Sequence, residues 1–73
     1  MQYKFDNGLT ASVIDNGHRG VSVYEMAVWE TQSGDWKTNE IFPSQTCGDD
    51  VVGWLTAQDV AEMLQTVSRW GSI

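Results

Sequence analysis

Cys47 and His18 are the two side chains in this sequence that would pair as a thiol nucleophile and its base. They belong to different loops, and no pattern brings them together. The carboxylates of Asp49 and Asp50, close to the cysteine, oppose the thiolate that such chemistry needs. By residue type alone, Asp49 and Asp50 with His18 would be metal ligands. Their spacing matches neither the paired Cys and His of a zinc site nor the alternating oxygen ligands of an EF-hand loop. The glycines of Asp6-Asn7-Gly8 and Gln32-Ser33-Gly34 sit in hairpin turns, not between a strand and a helix where a phosphate cradle forms. A chain of 73 residues also has little room for both a core and a substrate pocket. These residue types predict a protein that is not an enzyme, with no catalytic, cofactor-binding or metal-ligating set and no cofactor.

Recognition chemistry is better supplied. Four tryptophans are many for this length, and tryptophan is enriched at the energetic centres of protein interfaces. Trp36, Trp54 and Trp70 are expected as core fillers, because a small core gains most from large aromatics, and Trp29 as the exposed one. Ten acidic residues against four basic ones give a net charge of −6, and the cations Lys4, Arg19, Lys37 and Arg69 are scattered. Affinity for nucleic acid comes largely from cations that neutralise phosphates, so this balance argues against direct nucleic-acid binding. A basic protein surface is the better electrostatic match. One cysteine cannot close an internal disulfide, which points to a reducing cytoplasm. No signal peptide and no apolar run of bilayer-spanning length is read, so a soluble intracellular protein with no membrane association is expected.

The elements that must position these residues follow from periodicity and turn chemistry. Thr56 is an N-cap with Asp59 three residues on, a capping box, and Leu55 with Val60 forms a hydrophobic staple. Val60, Met63, Leu64 and Val67, extended by Ala57, make one apolar stripe of a helix over 56–70, with Arg69 favourable at its negative end. Ahead of it, turn signals divide the chain into strands over about 2–6, 9–15, 21–30 and 35–42, followed by a loop over 43–55. If Asp6-Asn7-Gly8 is a three-residue hairpin loop, Phe5, Tyr3 and Met1 face Leu9, Ala11 and Val13 on one side. With Gln32-Ser33-Gly34 as the second loop, Glu30 faces Trp36, Val28 faces Thr38 and Tyr24 faces Phe42. Tyr24, Met26, Val28, Trp36 and Phe42 then form the core face. The predicted fold class is α+β, an antiparallel four-stranded β-meander with one C-terminal α-helix packed on one face, in a single domain over 1–73.

Three stretches, Phe5 to Ile14 (FDNGLTASVI), Tyr24 to Val28 (YEMAV) and Asp50 to Thr56 (DVVGWLT) leading into the amphipathic helix, resemble small uncharacterised accessory proteins of actinobacterial phages. The segment from Ile41 to Gly48 departs from that pattern. The resemblance implies a phage protein made in the host cytoplasm, and proteins of that kind commonly bind and redirect or inhibit a host protein. It brings no activity, cofactor or residue role with it.

The far side of the predicted sheet is mixed rather than polar, with Val23, Glu25, Ala27 and Trp29 on the third strand and Lys37, Asn39 and Ile41 on the fourth, and Ile14 adding to it. The expected interface is therefore Trp29, Ile41, Ala27, Glu25 and Lys37 with the loop carboxylates Asp49 and Asp50. The expected partner is a bacterial host protein, with a homodimer as a further assembly. Three alternatives use the same residues differently. Glu25, Glu30, Asp35, Glu40, Asp49 and Asp50 would imitate phosphates in a nucleic-acid mimic. The aromatics would sequester a nucleotide-like small ligand at a subunit interface. The chain would otherwise serve as a minor virion or structural protein.

Overall fold

The computed structural model describes residues 1–17, 23–46 and 50–71. Its elements run β1 (Gln2–Lys4), β2 (Leu9–Asp15), β3 (Tyr24–Glu30), α1 (Thr38–Ile41), α2 (Pro43–Thr46), β4 (Val52–Leu55) and α3 (Ala57–Arg69). The four strands form one antiparallel sheet in the order β1-β2-β3-β4, and the C-terminal helix α3 packs on it, the α+β arrangement expected.

The first hairpin has the predicted register. Tyr3 lies opposite Ala11, Met1 and Val13 exchange both backbone hydrogen bonds, and the Phe5 amide donates to the Leu9 carbonyl at 2.8 Å. Gly8 closes this three-residue loop at φ 87°, a conformation that costs a glycine little. On β2, Leu9, Ala11 and Val13 point into the core, and across the ladder Val28 faces Ala11 and Met26 faces Val13. Val60, Met63 and Val67 of α3 close over them, with Leu64 partly buried at the margin. The capping box is present in both directions: the Asp59 amide donates to Thr56 Oγ1 at 3.1 Å and the Thr56 amide to Asp59 Oδ2 at 3.0 Å.

The hairpin turn does a second task that its sequence does not announce. The Asn7 side-chain amide donates to the carbonyls of Val67 at 2.6 Å and Trp70 at 3.2 Å, while its Oδ1 accepts from the Leu9 amide. A turn between β1 and β2 thus gives the Trp70 carbonyl a donor and adds a second one to the Val67 carbonyl, which also accepts from the Trp70 amide at 3.2 Å.

The fourth strand is not where the turn signals put it. Between Glu30 and Asp35 the loop is four residues long, closed by the Gly34 amide on the Glu30 carbonyl and the Glu30 amide on the Asp35 carbonyl. Trp36 therefore sits opposite Trp29 instead of Glu30, and a slip of one residue moves it to the other face. Trp36 is 54% exposed, not a core filler. After the Lys37 amide bonds the Val28 carbonyl, the chain turns into α1. A strand would place Ile41 and Phe42 on opposite faces. The helical turn buries both, at 7% and 5% exposure, so Ile41 belongs to the core and leaves the expected interface. Pro43 then prevents α1 from continuing through its missing amide hydrogen.

The expected loop over 43–55 contains α2 and β4. β4 pairs only with the N-terminal half of β3, Tyr24 with Leu55 and Met26 with Val52, with a bulge between them. The irregularity lets Val52 and Leu55, three positions apart, both reach the core.

Two substitutions test these connections. Thr38→Val should cost about 2 kcal/mol in urea unfolding, because the buried Val28 amide donates to Thr38 Oγ1 and would lose its partner, whereas Thr38→Ser should lose less than half as much. Asn7→Asp keeps the acceptor toward Leu9 but replaces two donors with a charge facing helix carbonyls, so the melting temperature should fall further than for Asn7→Ala.

Candidate binding surface

Strand alternation sends Met26 and Val28 into the core and Glu25, Ala27 and Trp29 to the opposite face of β3. Those three expected interface residues are brought together. The ladder then fixes their neighbours. Trp29 stands in a row with Lys4, Thr10 and Trp36, and Ala27 in a row with Gln2 and Ser12. Glu25 lies opposite Ile14, with its Cγ 3.9 Å from where a Cβ on Gly53 would stand. The middle of this face is floored by small side chains. Ile14, at 54% exposure, and Trp36 stand open at its two ends.

The indoles of Trp29 and Trp36 meet edge to face, with ring centroids 5.8 Å apart and planes at 81°. Edge-to-face contact aligns the positive ring edge with the negative face of its neighbour and is worth about 1 kcal/mol beyond area burial. It also fixes the orientation of Trp36, whose remaining surface is open. Opposite Trp29 in the ladder, the Thr10 hydroxyl lies 2.6 Å from that of Thr31, and Thr10 is fully buried on a face that no described helix covers.

The other expected residues do not join this face. Lys37 is half-buried and pairs with Glu40 at 3.5 Å on its own helical turn, so both charges are partly committed. Asp50 is exposed just ahead of β4. Asp49, like Cys47 and His18, lies outside the described residues.

Residue types alone did not single out the most unusual backbone position. Trp54 has φ 60°, and among the described residues it is the one non-glycine with positive φ. A bulky side chain there carries a strain on the order of 1–3 kcal/mol. Its indole is 88% exposed, and Trp70 is 38% exposed, so neither is the core filler expected. The bulge is the reason: with Val52 and Leu55 both turned inward, the residue between Gly53 and Leu55 must turn outward.

The described residues also form open hollows. One, of about 570 Å³, is lined by Asn7, Gly8, Leu9, Glu30, Thr31 and Gln32. Another, of about 250 Å³, is lined by Gln45, Leu55, Asp59, Glu62 and Met63. Several of their polar groups have partners already. Asn7 is bonded to the end of α3, Thr31 to Thr10, Glu30 to the Ser33 hydroxyl, and Asp59 to its cap. Among the described residues no buried side-chain polar atom lacks a partner, and no cluster of three or more His, Cys, Asp or Glu stands at metal-binding geometry. No described helix is long and apolar enough to cross a membrane. Comparison with protein-family models, with curated proteins and with solved structures gives no match.

The outer face should be dispensable for folding in a way the inner face is not. Trp36→Ala is expected to cost about 1 kcal/mol, the edge-to-face contact alone, whereas Met26→Ala should cost about 3 kcal/mol through the cavity it leaves. Urea unfolding followed by far-UV circular dichroism measures both.

Proposed function

We propose that this protein is a non-enzymatic binding protein that docks on a basic surface of another protein through the outer face of its sheet. The carrying observation is the pair Trp29 and Trp36 on a face that no described helix covers, one indole anchoring the other while the outer one remains open. Aromatic anchors of this kind supply a large share of binding energy in interfaces. The net charge of −6 supports a cationic partner, since complementary fields steer encounter and suppress wrong partners. A second copy of the chain is a poorer fit, because it would bring like charges together. The resemblance to accessory proteins of actinobacterial phages supports a bacterial host protein as the partner and the host cytoplasm as the place of action.

Size sets a further condition. Strands of three, seven, seven and four residues, at about 3.3 Å rise and about 4.8 Å spacing, give a face of roughly 330 Å² in projection. A standard interface removes about 800 Å² per partner from water. The contact surface must therefore continue past the sheet.

Affinity capture from an actinobacterial lysate tests the reading. The wild type should retain a specific basic protein at low salt and release it as salt is raised, and Trp36→Ala should lose it while remaining folded. Retention of the same proteins by wild type, Trp29→Ala and Trp36→Ala alike would sink the proposal.

A further inference from the structure

We infer that Trp54 is a second binding anchor at the β4 edge and that it receives an arginine side chain of the partner, an extension that rests on the protein-binding reading above. The bulge in β4 explains why position 54 is left-handed, but it does not explain why a tryptophan stands there. Glycine or asparagine would meet the backbone requirement with less strain. Gly53, one residue earlier, has no left-handed φ, so the permissive residue and the demanding position are adjacent but not matched. Burial offers no compensation, since the indole is 88% exposed. The side chain at 54 is thus opposed by local conformation and unsupported by the core, which leaves contact outside the chain as its physical use.

The chemistry of that contact follows from the surroundings. Both faces of the indole are open to a planar group. Exposed Asp50 and Val51 precede the strand, and Glu25 lies against Gly53. An exposed aromatic face on a chain of charge −6, with Asp50 four positions before it in sequence and Glu25 against the preceding glycine, attracts a cation and repels phosphate. Guanidinium suits it better than ammonium, because it stacks flat on the ring and is more weakly hydrated, while its spare N–H groups can bond a carboxylate. A second copy would set Asp50 and Glu25 against their equivalents, so a cationic hetero-partner is the occupant.

The test titrates the ¹⁵N-labelled full chain with a synthetic peptide of alternating arginine and serine, and in parallel with its lysine counterpart. The indole N–H signals are assigned with single tryptophan variants. The Trp54 signal should shift saturably, with the arginine peptide binding about fivefold more tightly than the lysine peptide. Trp54→Gly should melt at the wild-type temperature or above and bind the arginine peptide about fivefold more weakly. Equal binding of the two peptides, a stationary Trp54 signal, or undiminished binding by Trp54→Gly would overturn the inference. If Trp29 or Trp36 responds while Trp54 does not, this inference fails and the proposed docking face stands. If light scattering finds a dimer that Trp54→Gly abolishes, the occupant is a second copy and the inference is equally overturned.

Discussion

The outward edge of β3 is the constraint around which the rest of the chain is arranged. Tyr24, Met26, Val28 and Glu30 turn their backbone groups away from β2, and in a core-lining strand each of these must find a partner. Three different segments supply them. β4 pairs at Tyr24 and Met26. Thr38 engages Val28 with one hydroxyl, accepting from its amide at 2.7 Å and donating to its carbonyl at 3.1 Å. The loop backbone at Gly34 and Asp35 completes Glu30. Because the Lys37 amide and the Thr38 hydroxyl together serve Val28, the chain is free to leave the sheet there, turn through α1 and α2, and return as β4 beside the other half of the same edge.

That detour places the aromatic residues. The four-residue loop after Glu30 puts Trp36 on the outer face beside Trp29, and α1 pulls Ile41 and Phe42 under the sheet. The return as a short bulged strand sends Val52 and Leu55 inward and Trp54 outward. None of the four tryptophans belongs to the core, which is built from aliphatic residues and methionines of the sheet and α3 together with Ile41 and Phe42. A small domain that leaves such area outside its core forgoes much of the hydrophobic stabilisation available to it. That area lies on the outer face, at the β4 edge and, for Trp70, at the end of α3.

The two ends of the molecule are tied together by the same economy of polar groups. Asn7 joins the first turn to the end of α3, so the last helix is held at its start by the Thr56–Asp59 box and at its end by a loop distant in sequence. Both attachments engage backbone groups of the terminal turns, where helical pairing runs out.

Local chemistry in the sequence determined the first hairpin, its register and the capped helix. Gly8 in its loop, the Phe5–Leu9 alternation and the Thr56–Asp59 spacing each act within a few residues, and no distant contact competes with them. The Ala27–Trp29 part of the outer face was legible for the same reason, through alternation on β3. Only the tertiary structure decided the rest: which residues pair with the far edge of β3, that Thr38 does so with a side chain, that Ile41 is buried, and that Trp36 and Trp54 are open. Those outcomes turn on a one-residue difference in loop length and on competition between two segments for a single strand edge. Hydrogen-bond satisfaction across the sheet settles both, and no short window of sequence contains it.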